Sequence, residues 1–118
     1  MDRRRLHETL GELFAEIDRV EMFIESMSFE DYLADWKTKR ATERAIAIIS
    51  EASRRLPQEL YGEAQHVPWT KIRGIGNVLR HDYDDVVDEV IFGIATEDLR
   101  VLKAALFAIA ASLDEPEE

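Results

Sequence analysis

Cationic, amide and imidazole side chains are concentrated between Lys71 and Asp85, in the stretch KIRGIGNVLRHDYDD. An arginine offers a permanent cation to a phosphate, and an imidazole can accept or donate a proton near neutral pH. An amide beside them could orient a bound ligand. The stretch therefore has the groups needed to hold a phosphate and to move a proton, and its candidate residues are Arg73, Asn77, Arg80 and His81.

The spacing of these four residues places them on one side of a predicted helix. At about 100° per residue they fall within about 100° of one another. Arg73, Asn77 and His81 follow at i, i+4 and i+8 and form a ladder along one edge. The opposite side is a predicted apolar stripe of Ile72, Ile75, Leu79, Tyr83, Val86 and Val90. Since every amphipathic helix has a polar face, an ordinary solvated face is the competing interpretation.

Two glycines in the same helix favour a site over a plain solvated face. Gly74 and Gly76 each cost roughly 1 kcal/mol relative to alanine in a helix. A missing side chain lets a backbone or a ligand come close. We therefore expect a close approach to the helix at this point.

Composition limits the partners of the chain. Its 118 residues carry a formal net charge of −10, which repels phosphate at long range, so nucleic-acid contact must rest on a local basic patch. Arg3–Arg5 and a second group, Lys37, Lys39, Arg40 and Arg44, could form such patches, although solvation explains both more simply.

No cysteine is present, which is compatible with a reducing cytoplasm. No apolar run reaches the roughly 18–20 residues of a membrane span, and the first residues do not resemble a signal peptide.

Apolar periodicity predicts an all-α fold, an up-and-down bundle of four main helices plus a short extra helix. The short helix should begin at Ser28, which with Asp31 resembles a capping box. Thr96 is the expected N-cap of the last helix. The predicted main helices are Arg4–Ile24, Thr38–Leu60 with a break at Pro57, Trp69 as far as Phe92, and Glu97–Leu113. We expect residues 1–113 to form a single helical domain and residues 114–118 an acidic tail.

The motif W-x-x-I-R-G-I-G-N-V-L-R-H-D-Y, from Trp69 to Tyr83, resembles the signature helix of HepT-like HEPN toxins. Glu43–Pro57 (ERAIAIISEASRRLP) and the segment VVDEVIFGIATEDLRVLKAAL are similar to flanking parts of that family, so the resemblance covers most of the chain. It implies a homodimer whose motif helices face each other across a cleft, with a minimal nucleotidyltransferase antitoxin as partner. It also implies a metal-independent RNase without a cofactor, acting on RNA through attack of a ribose 2′-OH on the neighbouring phosphate.

The resemblance assigns roles to individual residues. His81 is the motif histidine and Asn77 the motif asparagine, while the position of the motif arginine is occupied by Gly76. Arg73 or Arg80 would then supply the cation. Tyr83 matches the tyrosine that the partner can modify with AMP in some members; a core tyrosine is the alternative interpretation.

Two other functions stay open on the sequence. A catalytically degenerate HEPN protein would act as a nucleotide- or partner-binding module, and an arginine restored at Gly76 should then create cleavage. A structural helical adaptor comes last, because it leaves the glycines and the polar ladder without a cause.

Overall fold

Amphipathic helices form most of the chain in the computed structural model, which describes residues 2–81 and 87–114. No β-strand occurs in those two ranges, and the predicted all-α fold is confirmed. The helices are α1 (Arg3–Ile24), α2 (Phe29–Ala34), α3 (Trp36–Arg54), α4 (Gln58–Glu63), α5 (Trp69–His81), α6 (Asp88–Gly93) and α7 (Leu99–Leu113), with a π-helical turn at Ile94–Asp98 between the last two.

Helix α3 lies at the centre of the packing, with α1 on one side and α5 on the other. Its apolar positions recur every three or four residues, so they form a stripe that is withdrawn from water. Ile46, Ile49 and Ala52 of this stripe are all fully buried. The position of α5, and hence of every candidate residue on it, is therefore set by its packing on α3.

Short polar side chains fix where the helices begin. Ser28 and Asp31 form the predicted capping box, in which each side chain accepts a hydrogen bond from the other residue's backbone N–H. Asp35 caps α3, since its carboxylate accepts from the backbone N–H of Thr38 at 3.1 Å. Pro57 marks the predicted break, with α3 ending at Arg54 and α4 beginning directly after the proline.

The third predicted helix does not continue to Phe92. Val87 has an extended backbone (φ −94°, ψ 113°), and a new helix, α6, begins at Asp88. A β-branched valine favours extended backbone, while the acids Asp88 and Glu89 suit the first turn of a helix. Val90 is 40% exposed, so its predicted burial is wrong. Tyr83 and Val86 lie outside the described residues.

The predicted N-cap at Thr96 is also wrong. Helix α6 runs directly into the π-helical turn and then into α7. Thr96 lies inside this continuous segment, where its Oγ1 donates a hydrogen bond to the carbonyl of Phe92 at 2.7 Å. Its hydroxyl thus bonds to the preceding turn instead of capping a new helix.

The described helices include none that combines the length and the apolar character needed to cross a membrane.

Candidate functional site

Helix α5 presents a polar strip to solvent because its apolar side is used up in packing on α3. Trp69, Ile72, Ile75 and Leu79 are buried on that side. Four exposed residues at i, i+4, i+7 and i+11 lie within about 60° of one another on the other side. They are Thr70, Gly74, Asn77 and His81.

Asn77 links two arginines from different helices. Its Oδ1 accepts a hydrogen bond from Arg54 Nη1 of α3 at 3.4 Å and another from Arg80 Nη2. A guanidinium can only donate hydrogen bonds, so the amide oxygen must face both arginines. The amide NH₂ is then directed elsewhere and can donate to a ligand.

Arg80 does not extend toward its neighbour His81. Adjacent residues on a helix point about 100° apart, and the Arg80 guanidinium lies 3.6 Å from Glu51 of α3. Both side chains are about half exposed, at 51% and 54%. Ion pairs of this kind contribute only about 0–1 kcal/mol, so a phosphate could replace the carboxylate at little cost.

Arg73 lies beside the strip near the N-terminal end of α5, where two contacts hold its side chain. Its guanidinium carbon lies 4.4 Å from the centre of the Tyr61 ring, and its Nε donates to the carbonyl of Trp69 at 3.4 Å. Arg73 precedes His81 by eight residues, which corresponds to about 12 Å along the helix axis. Because its side chain also reaches back toward Trp69, the Arg73 guanidinium is directed away from His81 of the same chain.

His81 is the last residue of α5 and is exposed. Among residues 2–81 and 87–114, no hydrogen bond or ion pair engages its imidazole. Both ring nitrogens are therefore available to a substrate as far as these residues are concerned. Tyr83, the predicted modification site, lies outside the described residues.

The surroundings of Gly74 and Gly76, the two glycines of the motif, differ. Gly76 is buried against α3: its N–H donates to Ser50 Oγ at 3.1 Å, and an added Cβ would lie 2.6 Å from that oxygen. The predicted close approach is confirmed here, and the approaching element is α3. An arginine at position 76 would displace Ser50. Gly74 is exposed, with open space where a Cβ would be.

Sequence reasoning missed Arg54, which lies 23 residues before Asn77 in the chain. A signal did exist in the apolar repeat of α3, where the small polar residue Ser50 stands one turn before Arg54. A small side chain within a buried stripe suggests a close helix contact, and a residue four positions later shares its face.

Two of the four residues of the second predicted basic patch form ion pairs within the fold. Lys39 pairs with Asp88 at 2.9 Å, and Arg40 pairs with Glu43 at 3.0 Å. Over the described part of the chain, no group of three or more histidine or acidic side chains is placed to bind a metal ion.

Comparisons with known proteins agree with the fold and with the motif on α5. A family model described as "Ribonuclease HepT-like" matches residues 13–109. "Probable ribonuclease HepT" of Thermococcus cleftensis is 35% identical over 101 residues, which cover 85% of this chain and 92% of the relative. "Putative RNase TTE0752" of Caldanaerobacter subterraneus is 32% identical over 80 residues, 68% of this chain and 71% of the relative. No solved structure matches. The chain belongs to the HepT-like ribonuclease family.

Proposed function

We propose that the protein is an RNase that cleaves RNA without a metal ion, at a site shared by two copies of the chain. It acts in the cytoplasm as the toxin of a toxin–antitoxin pair. The family match and the RNase names of the relatives support RNA cleavage. The shared site and the toxin role rest on the resemblance of the α5 motif to HEPN toxins.

The proposed reaction is an internal transesterification. The ribose 2′-oxygen attacks the adjacent phosphorus, the bond from phosphorus to the 5′-oxygen breaks, and a cyclic 2′,3′-phosphate and a free 5′-hydroxyl result. His81 carries out proton transfer, either from the 2′-hydroxyl or to the leaving oxygen. Arg80 offsets the charge that builds on the phosphoryl oxygens. DNA lacks the 2′-hydroxyl, so it cannot react in this way.

The observation that carries this proposal is the strip on α5. An exposed imidazole without an engaged partner among the described residues stands one turn from Asn77, whose oxygen holds two guanidinium groups. In a chain with a net charge of −10, this local excess of cations provides the basic patch that RNA binding requires.

A site shared by two chains does not require Arg80 and His81 of the same chain to point in the same direction. Arg80 turns toward Glu51 on α3, whereas His81 projects about 100° away. Two facing α5 helices would bring the Arg80 of one copy to the His81 of the other. The site would then be complete only in the dimer.

We also propose a minimal nucleotidyltransferase as antitoxin, with Tyr83 as the residue to which it attaches AMP. Tyr83 is two residues from His81, so a nucleotide there would obstruct RNA. Incubation with the partner and ATP should add one AMP group to the wild-type chain and none to Tyr83→Phe. Modification that persists in Tyr83→Phe would place the target residue elsewhere.

The test of cleavage compares the wild-type chain with His81→Ala. Wild-type protein should arrest growth when produced alone and should cut RNA in the presence of EDTA, leaving cyclic phosphate ends. His81→Ala should lower kcat by about 10²–10⁴-fold, the usual contribution of a general acid or base. Its helix content should not change, because His81 is exposed. Cleavage that survives this substitution would remove His81 from the mechanism.

One observation favours a second function, binding of a nucleotide or partner without cleavage. The motif arginine position is Gly76, and its place is taken up by packing on Ser50. Purified wild-type dimer that binds ATP or the partner but leaves RNA intact would establish this function. Placing an arginine at Gly76 is not a clean test of it, since the larger side chain would disturb the contact with α3.

A further inference from the structure

A cleft between α3 and α5 has the chemistry of a phosphate site but is separate from His81. It has a volume of about 300 Å³ and is lined by Arg54, Thr70, Arg73, Gly74 and Asn77. Two guanidinium groups, a hydroxyl and an amide therefore meet without a carboxylate among the lining residues. This lining is notable because the chain has 25 acidic and only 15 basic residues.

Arg73 is held in place before any ligand arrives. Its guanidinium lies over the ring of Tyr61, whose hydroxyl donates to the carbonyl of Ser53 at 2.5 Å. The Tyr61 and Trp69 rings also pack together, with their centres 4.9 Å apart and their planes inclined at 63°. Since Nε already donates to a backbone carbonyl, the two terminal nitrogens are the groups left for a ligand. A side chain fixed in this way loses little entropy when it binds a phosphate.

The guanidinium groups of the cleft are not neutralised within the described residues. Over residues 2–81 and 87–114, no carboxylate forms an ion pair with Arg54 or Arg73. Arginines elsewhere in the same ranges do pair, as Arg40 does with Glu43 and Arg55 with Glu12. The cleft therefore keeps its positive charge available.

Gly74 keeps the wall of the cleft open. No atom lies within 4 Å of the position where its Cβ would be, so helix packing does not require a glycine there. Its cost in a helix, roughly 1 kcal/mol against alanine, has no explanation within the described fold. Close approach of a ligand to the α5 backbone would provide one.

The position of the cleft shows which phosphate it could hold. Asn77, at its near end, precedes His81 by one helical turn, about 6 Å, while Arg73 lies about 12 Å from His81 along the axis. The Arg73 side chain also reaches back toward Trp69, so a phosphate bound between Arg54 and Arg73 lies away from the imidazole. It would belong to another linkage of the same strand.

We infer that the cleft binds an RNA backbone phosphate that flanks the cleaved linkage, with Arg54 and Arg73 as its ligands; the inference rests on the proposed RNase activity. Arg73 is then a substrate-binding residue and not a catalytic one. The cleft would hold the strand so that the neighbouring linkage reaches His81.

The experiment measures kcat and KM on a short RNA for wild type, Arg73→Gln, Arg54→Gln and the control Arg100→Gln. Arg100 is exposed on α7 and gives the same change of charge away from α5. Loss of one charge-assisted hydrogen bond should raise KM about tenfold in the first two variants. Their kcat should stay within about twofold of wild type. A fall in kcat with unchanged KM, or no change in either constant, would overturn the inference.

A second measurement locates the phosphate. The RNA carries one uncharged methylphosphonate linkage, moved stepwise along the strand away from the cleavage point. Wild-type KM should rise at one flanking position, and Arg73→Gln should be insensitive to the replacement at that same position. Equal sensitivity of wild type and Arg73→Gln at every position would overturn the inference.

Binding separates this inference from the proposed function. Fluorescence anisotropy of labelled RNA can be measured with His81→Ala, with or without Arg73→Gln. If wild type does not cleave RNA but His81→Ala binds it in a manner that depends on Arg73, the RNase proposal fails and the phosphate site stands. If wild type cleaves and binding is indifferent to both Arg54 and Arg73, the phosphate site fails and the RNase proposal stands.

Discussion

The side chain of Ser50 on α3 forms two hydrogen bonds with the backbone of α5 beside Gly76. Its Oγ accepts the Gly76 N–H at 3.1 Å and donates to the carbonyl of Arg73 at 3.0 Å. A Cβ at position 76 would approach Ser50 Oγ to 2.6 Å and Ser50 Cβ to 3.0 Å. Ser50 cannot turn aside without losing both hydrogen bonds, so α3 and α5 are locked together at this point.

The two glycines of α5 should respond in opposite directions to alanine. Gly76→Ala should destabilise the fold by about 1–3 kcal/mol, the usual cost of overpacking. Gly74→Ala should stabilise it by about 1 kcal/mol, because alanine is the better helix former and meets no neighbour. Urea unfolding of both variants measures this.

Ser50→Ala offers a check on the cause of that difference. Combined with Gly76→Ala, it should recover part of the lost stability, with a coupling free energy of about 0.5–3 kcal/mol. Strict additivity of the two substitutions would show that the contact does not limit position 76.

The substitution Asn77→Asp should leave folding stability nearly unchanged but should weaken RNA binding. Asn77→Asp keeps an oxygen that accepts from Arg54 and Arg80, so stability should stay within about 0.5 kcal/mol of wild type. The added negative charge replaces the amide NH₂ and should repel phosphate, raising KM for RNA by about tenfold or more. Gln58→Glu on α4 makes the same chemical change at another exposed amide. Equal KM values for wild type and Asn77→Asp would show that this amide does not face the substrate.

The shared site predicts complementation between two inactive chains. His81→Ala and Arg80→Gln should each be inactive alone. In a mixed dimer, one of the two sites receives the intact His81 of one chain and the intact Arg80 of the other. A refolded equimolar mixture should recover about a quarter of wild-type activity, since half of the dimers are mixed. A mixture that stays inactive would show that each chain uses its own pair.

Asp35 should make folding stability depend on acidic pH. Hydrogen bonds from the backbone N–H of Thr38 and then from its hydroxyl hold the pKa of Asp35 below its ordinary value of 3.8. A lowered folded-state pKa stabilises the protein above the unfolded-state pKa, and this contribution disappears as the pH falls through the folded-state value. The Tm difference between wild type and Asp35→Ala should therefore be larger at about pH 7 than at about pH 3.

Asp35→Asn separates the cap from its charge. Asparagine also caps helices but does not titrate, so the Tm difference between Asp35→Asn and Asp35→Ala should not change with pH. A difference that shrinks in acid for both comparisons would point to some other titrating group.

Periodicity predicted the long helices well because their burial is one-sided. The apolar stripes of α1, α3 and α5 repeat every three or four residues, and Pro57 separates α3 from α4 as expected. The same periodicity failed beyond His81, where Val90 continues the pattern but is exposed. Periodicity cannot register an interruption of the helix, and the extended backbone of Val87 before α6 is one.

The sequence predicted which side chains share a face of α5, but not the contacts that they make with α3. The spacing of Asn77 and His81 correctly places both on one exposed strip. It could not show that Arg80 turns toward Glu51 or that Arg54 joins Asn77, because both contacts depend on how closely α3 approaches. The sequence predicted a close approach at Gly76, but it could not show that α3 is the approaching element.

The π-helical turn at Ile94–Asp98 lies within one continuous helical segment that packs against α2 before the turn and against α1 after it. Before it, Phe92 packs against the rings of Phe29 and Tyr32; after it, Phe107 packs against Phe14 of α1. Loss of one residue from the wide turn would turn everything downstream by about 100°. Phe92 and Phe107 could then no longer both contact their partner rings. A one-residue deletion in the turn should therefore disturb the packing of α1, which is distant in sequence, as much as the turn itself.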